Sequence, residues 1–391
     1  MKLTGARVAR SASEAERIDL SIGRRHILPF ESTASQGAEI DVSDCLLLPG
    51  LINSHDHLEF NLFPRLGSST HANYVAWADS IFHPDREPVR THLRVPKQVR
   101  FYWGGIKNLL NGVTTVSHHN PYESAVFLRG FPVRVLRRFG WAHSVHFAPD
   151  FKARYRNTPR ELPFLIHAGE GKDDLARAEI RLLCRAGILS ERTVLIHAVC
   201  LDEQGLEMVR QTGAGVVWCP TSNMHTIGQT LGDHVLRSGL PIALGTDSAL
   251  TAQGDLADEL CAAKRLGGFG ADELYAMVTT MPGRLLRLQN GEGEIREGGV
   301  ADLVAVSNHG CSPAQALENL QPQMVIVGGR IKLVSASFAG RLPGSLTARL
   351  ERISVEVRGD YLVDAPIAGL VSTTRYILGE EFKLAGRRVS A

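Results

Sequence analysis

Long apolar runs are missing from this 391-residue chain, and none approaches the ~20 residues that span a bilayer. Its first residues, Met1-Lys-Leu-Thr-Gly-Ala-Arg7, carry no apolar core of the secretory-signal kind. A charge excess is missing too. The formal net charge of +2 offers nothing to nucleic acid or a membrane surface, and the basic end at Lys383, Arg387 and Arg388 is too short to change that. The six cysteines (Cys45, Cys184, Cys200, Cys219, Cys261, Cys311) form no Cys-x-x-Cys pair. Cys184, Cys200, Cys219 and Cys261 lie in apolar or helical surroundings, which suits reduced core residues and not a disulfide framework. Internal repeats and low-complexity tracts are absent. These absences predict a cytoplasmic globular protein whose partner is a small molecule, with no nucleic acid and no membrane.

What is present is a compact enzyme's composition, 44% hydrophobic and 21% charged with 38 glycines. Apolar, β-rich runs recur at 51–57, 113–118, 132–136, 142–147, 163–167, 194–197, 214–219 and 241–247, many ending in an ionisable residue. Helix-like stretches separate most of them. Leu175, Ala178, Leu182, Leu183 and Ala186 recur at helical spacing, and Asp202 is placed to cap the helix carrying Leu206 and Val209. Alternating strands and helices predict a parallel sheet, and eight strands predict an α/β fold closed as a (β/α)8 TIM-like barrel over 50–290. The interval from Val135 to His146 barely allows a helix. Residues 1–49 and 291–335 read as short strands with hairpin signals, the two halves of a small β-sandwich domain. Residues 336–391 are a C-terminal extension whose packing the pattern leaves open, with a helix over 364–378. The long interval from His57 to Val113 holds Trp77, Phe82, Tyr102 and Trp103. It is either a lid or substrate wall, or a surface helix pair with a structural role.

The ionisable strand ends carry the chemistry. In Leu48-Pro-Gly-Leu-Ile-Asn-Ser-His-Asp-His57, the two histidines stand two apart and share one face of a strand. Further strand ends carry Leu165-Ile-His-Ala-Gly-Glu170, Leu195-Ile-His-Ala198 and Leu244-Gly-Thr-Asp-Ser248. Barrel strands present such ends at one mouth, where His55, His57, His167, His197 and Asp247 converge. Histidine nitrogen with carboxylate oxygen suits Zn2+, with Fe2+ and Mn2+ also open.

On these residues, with Gly112-Val-Thr-Thr115, Cys219-Pro-Thr-Ser-Asn223 and Gly299-Val-Ala-Asp-Leu-Val304, the chain over about 40–330 resembles the amidohydrolase superfamily. His167-Ala-Gly-Glu170 is similar to the mononuclear branch of cytosine, guanine and adenosine-type deaminases and triazine chlorohydrolases. That resemblance implies one divalent metal ion, zinc first, on His55, His57, His167 and Asp247. It implies Glu170 as proton shuttle, His197 as hydrogen-bond partner of the attacking water or the substrate, and Asp247 as a catalytic residue besides a ligand. It also allows a homodimer. The chemistry is self-consistent: a divalent ion lowers the pKa of bound water toward ~7, and a carboxylate near it carries the proton to the leaving nitrogen. A helix-start carboxylate compensating the dipole is the other reading of Glu170. The two-metal branch usually carries a carboxylated lysine on the fourth strand. The lysine nearest that position, Lys152, follows Pro149-Asp150 and falls beyond it.

The expected reaction is deamination of a small heterocycle. The alternatives are hydrolysis of a cyclic amide or other C–N or C–halogen bond at the same residues, and a catalytically silent barrel used for binding. His118, His119 and Asn120 follow the second strand and either face substrate or serve as loop hydrogen-bond groups. Asn223 is a further substrate-binding candidate, with Ser222 and Asn223 also read as ordering the loop after strand seven. Glu59, Asn61, Arg65 and His225 are unranked pocket candidates.

Overall fold

The computed structural model describes residues 1–31, 37–128, 130–252 and 254–391. Eight short strands carry the site end: Leu51–Asp56, Val113–His118, Arg134–Val135, Gly140–Ser144, Phe164–Ala168, Thr193–His197, Gly215–Trp218 and Ile242–Leu244. The first three pair in parallel as one sheet and the last five as another. Just beyond the last strand the chain returns to the first. Asp56 and Asp247 form a parallel bridge, and the amides of Thr246 and Asp247 donate to the His55 carbonyl at 2.9 and 3.0 Å. The fold is TIM-barrel-like α/β, built as two parallel arcs.

The arcs do not meet between the third and fourth strands. Arg134–Val135 and Gly140–Ser144 share no ladder and have no helix between them. Side-by-side parallel strands need a crossover of about a dozen residues, far more than this linker supplies. The expected regular alternation of strand and helix is therefore corrected here.

Local signals account for several helix ends. Asp202 caps Glu203–Thr212, its Oδ1 accepting from the Gly205 amide at 2.7 Å, and Gly213 closes the helix at φ 72°. Helix Asp174–Arg185 is capped by Asp173, and its buried face is Ala176, Glu179, Ile180 and Leu183. The stripe expected from hydrophobicity was rotated away from this: Leu175 is 45% exposed, while a carboxylate sits in the core-facing row. The six cysteines are unpaired, with Cys45, Cys200 and Cys219 buried and Cys261 exposed on its helix.

The chain flanks form two further sheets. Lys2–Thr4 pairs with Leu20–Ser21 and Glu39–Asp41. Cys45–Pro49 lies antiparallel to Leu303–Ser307 inside a ten-stranded sheet. One apolar cluster draws Leu3, Leu20 and Ile40 from the small sheet and Leu47, Leu303, Met324 and Ile326 from the large one. That large sheet does not stop at residue 335. Gly359–Val363 pairs with Arg330–Ser335, and Glu351–Val355 and Arg387–Ser390 follow outward. The tail thus continues the sheet, because its hairpin completes the open edge of Arg330–Ser335. Its helix spans Ile367–Leu378, starting after Pro366. Among the described residues no helix is long and apolar enough to cross a membrane.

Candidate metal centre and active site

Strand Leu51–Asp56 is buried throughout, so its alternation sorts side chains between two interior faces. His55 and His57 face the mouth. Asp56 points the other way, where it receives Lys107 Nζ at 2.8 Å, Asn61 Nδ2 at 2.8 Å and Asn108 Nδ2 at 2.7 Å. His167 and His197 come from the ends of their strands, and Asp247 from the turn after Ile242–Leu244. His197, Ala198 and Asp247 adopt φ of 72°, 50° and 54°, a left-handed region that non-glycine residues seldom occupy. Such strain collects at functional sites, and here it accompanies the inward aim of two of the five groups.

The five groups converge. His55 Nε2 lies 3.1 Å from His167 Nε2, and both His55 Nε2 and His57 Nε2 lie 3.7 Å from Asp247 Oδ1. Two overlapping triads result, His55–His167–His197 and His55–His57–Asp247, each with its donor atoms within 4.8 Å of one another. Outer partners set the ring orientation. His167 Nδ1 donates to the His143 carbonyl at 2.5 Å and His197 Nδ1 to Asn223 Oδ1 at 2.7 Å, leaving each Nε2 as an inward lone pair. Asp247 Oδ2 accepts from Ser222 Oγ at 2.7 Å and Thr251 Oγ1 at 2.9 Å.

Burial keeps His55 and His167 neutral: it holds His55 down to about 3, and His167 well below the ordinary imidazole range with help from its histidine neighbours. Burial works against the Asp247 carboxylate, but its pairing with His55 and the nearby His197 and His57 outweigh it and keep the group ionised. The donor set fits a divalent cation. Two imidazole lone pairs facing each other at 3.1 Å repel unless a cation or proton lies against both, and His55 Nδ1 is buried without a partner. Lys152, the candidate bridging lysine, is exposed on helix Phe151–Asn157, past the fourth strand.

Glu170 follows strand Phe164–Ala168 and faces this cluster, with its Oε2 3.6 Å from His197 Nε2. Burial pushes its carboxyl up to about 7, against the opposing pull of His197. A buried acid that titrates near neutrality is suited to taking and giving a proton.

His57, His167, His197, Glu170 and Asp247 open onto a cavity of about 490 Å³ walled by Phe60, Tyr74, Trp77, Phe82 and Phe147, with Asp79, Asn120, His143, Thr226, Ser248, Leu250 and Thr251. Of Trp77, Phe82, Tyr102 and Trp103, the first two therefore face the cavity, together with Phe60 and Tyr74 from the same interval. Trp103 packs away from it, against Phe382, with its Nε1 donating to Thr374 Oγ1 at 2.8 Å. His118, His119 and Asn223 are not among the residues that line the cavity. His118 lies between the rings of Phe101 and Phe127 and accepts from the Leu58 amide. His119 stands behind His167 with its ring centroid 4.3 Å away, donating through Nε2 to the Ala142 carbonyl. Asn223 braces His197. Glu59, Asn61, Arg65 and His225 do not line the cavity either. His143 was missed, although it alternates with Trp141 in Gly140–Ser144. Tyr74 lies on a segment with no strand-end signal to mark it, and Phe147 ends the expected run 142–147 as an apolar residue in a turn just past strand Gly140–Ser144.

An amidohydrolase family model matches residues 157–332. A 5-methylthioadenosine/S-adenosylhomocysteine deaminase from Pyrococcus furiosus is 28% identical over 337 residues, covering 68% of this chain and 76% of its own. One from Natronomonas pharaonis is 25% identical over 339 residues, covering 72% and 77%. Among solved structures, a zinc-bound adenosine deaminase from Xanthomonas campestris superposes with a TM-score of 0.69 at 17% identity, covering 96% of this chain and 98% of that one. An atrazine chlorohydrolase from Arthrobacter aurescens, complexed with zinc, gives 0.64 at 18% identity, covering 88% and 100%.

Proposed function

We propose that this chain, a member of the amidohydrolase family, is a metal-dependent hydrolase of C–N bonds that deaminates a small heterocycle, an aminopurine nucleoside first. The observation that carries the reading is Glu170, a buried carboxyl held near neutrality beside five convergent metal-type groups. His55, His57, His167 and Asp247 would hold one divalent ion, zinc first. When bound, such an ion supplies an activated water at neutral pH and polarises the carbon under attack. Glu170 takes a proton at its carboxylate and returns it to the departing nitrogen, which leaves as ammonia. His197 Nε2, fixed by Asn223, is held to hydrogen-bond the attacking oxygen. The aromatic wall excludes water and stacks a planar ring. This reading takes the eight strands as one (β/α)8-type barrel over 50–290, unladdered between its third and fourth strands, and the flanking sheets as a β-sandwich.

Among the described residues, the cavity lining includes no lysine or arginine. A neutral side arm on the nucleoside is therefore favoured over one bearing a carboxylate, which would be desolvated without a counter-charge. Competition between 5′-methylthioadenosine and S-adenosylhomocysteine checks this, and equal kcat/KM for the two would contradict it.

Elemental mass spectrometry on protein purified without added metal should find about one equivalent of a divalent transition ion per chain. Glu170→Gln should retain that metal and lose ammonia release, whereas His55→Ala should lose both. Near-normal turnover by Glu170→Gln would remove the shuttle assignment. About two equivalents of metal would point to the two-metal branch instead. Chloride release without ammonia release would move the reaction to carbon–halogen hydrolysis.

A further inference from the structure

Helix Asp174–Arg185 buries a carboxylate that the proposed chemistry leaves unused. Glu179 is 4% exposed, and among the described residues it forms no ion pair. Burial pushes its carboxyl up to about 7, against two hydrogen bonds that favour the charged form. A buried acid without a cation is a standing cost to folding, and an apolar residue at this helical position would avoid it. Its two oxygens are both engaged, each by a different part of the active site. Oε2 accepts from the Gly169 amide at 2.9 Å, one residue before Glu170. Oε1 accepts from the Tyr74 hydroxyl at 2.7 Å, on the helix Tyr74–Ile81 that also carries Trp77 into the cavity wall.

The same two segments are stitched together by backbone. The Tyr74 amide donates to the Glu170 carbonyl at 3.0 Å, and the Lys172 amide donates to the Ala72 carbonyl at 2.8 Å. Asn73 and Gly171 form an antiparallel bridge so close that a Cβ on Gly171 would lie 2.8 Å from Asn73 Cβ. The loop bearing Glu170 thus has two neighbours that limit its movement, the cavity-wall helix and the helix of Glu179. One carboxylate joins them.

We propose that Glu179 is a positioning residue for Glu170, which holds the loop 169–171 and, through Tyr74, couples the cavity wall to proton transfer. The inference rests on Glu170 acting as the proton shuttle. Small displacements of a proton donor are costly, because transfer needs hydrogen-bond distance to the reacting nitrogen. Glutamine at position 179 places an NH2 where one of the two acceptor oxygens stands, so with its oxygen on the Gly169 amide the contact to the Tyr74 hydroxyl persists only with donor and acceptor exchanged, and the join between the two segments is altered.

The test uses the metal-loaded enzyme with a 6-aminopurine nucleoside and the 6-chloropurine nucleoside of the same sugar. With the amino substrate the C–N bond breaks as Glu170 delivers a proton to nitrogen. Chloride leaves as the anion and takes no proton. Glu179→Gln is expected to lower kcat on the amino nucleoside by about 10–100-fold, with KM nearly unchanged and metal content per chain unchanged. The loss on the chloro nucleoside should be clearly smaller. Tyr74→Phe, which keeps the ring in the wall, should lower kcat less, and the double variant should lose no more than Glu179→Gln alone. Wild-type kcat in Glu179→Gln, metal loss in step with activity, equal losses on the two rings, or fully additive effects would each overturn the inference. Those outcomes leave the wild type releasing ammonia. A wild type that releases none removes the functional reading and this inference together.

Discussion

Asp56 sits between two proposed metal ligands and points away from both. The strand period sends it into the space between the first strand and helix Lys97–Leu109, where Lys107 Nζ meets it at 2.8 Å with both side chains almost fully buried. Asn53, Asn61, Asn108 and Thr246 fill the remaining valences around the pair. Removing one partner of a buried ion pair leaves an unpaired charge and costs about 3–5 kcal/mol. Lys107→Met should therefore lower unfolding stability by about that much, measured by urea denaturation, and should weaken metal retention by loosening the strand that bears His55 and His57. A variant as stable as the wild type would show that the pair is not a brace. This residue was legible only in part. His-x-His implies that the middle residue faces the opposite way, but its partner is fifty-one positions along the chain and carries no local mark.

Among the elements, short helices hold the loops that hold the ligands. Pro220–Thr226 carries Ser222 and Asn223, which orient Asp247 and His197, and its start is fastened by Glu259 from helix Leu256–Gly267. The Thr221 amide donates to Glu259 Oε2 at 3.1 Å and the Thr221 hydroxyl to Oε1. Burial pushes Glu259 from 4.5 up to about 8. A raised acid in the folded state contributes stability that is fully present below 4.5 and is lost as pH rises through about 8. The thermal midpoint of the wild type should accordingly fall between about pH 4.5 and 8, and Glu259→Gln should fall less over the same range. An unchanged slope would mean that Glu259 is ionised in the folded state. Helix Asp174–Arg185 shows the converse. Its N-cap follows local rules, yet its inward face does not, because hydrophobic period assigns a glutamate to solvent. Glu179 is buried because a hydroxyl and an amide on other segments meet it there.

At the scale of the whole molecule, the tail closes the structure. Helix Ile367–Leu378 and Phe382 cover Trp103, and Arg358 and Arg387 converge on the buried Asp255 at 2.8 and 2.9 Å. Asp255 is also the cap of helix Leu256–Gly267, so the tail's arginines bear on the element that fastens the Ser222–Asn223 loop. A chain stopped after Leu350 should expose Trp103, leave Asp255 without its cations and lose cooperative unfolding, as followed by tryptophan fluorescence. A wild-type transition in that variant would make the tail an appendage.

What the sequence determined by itself is what depends on short spacing. His55 and His57 share a strand face because the period is two, Asp202 starts a helix because its oxygen reaches an amide three residues on, and the ionisable strand ends gather at one mouth because parallel strands share a direction. Tertiary structure alone decided whatever depends on a partner distant in the chain. It set His119 behind His167 and Asn223 against His197, broke the strand alternation at residues 136–139, and drew the strands Glu351–Val355, Gly359–Val363 and Arg387–Ser390 into the large sheet. It also buried Glu179 between the catalytic loop and the cavity wall. The physical reason is that backbone geometry acts over a few residues, whereas burial and the hydrogen bonds it demands are settled by whichever segments come to lie alongside.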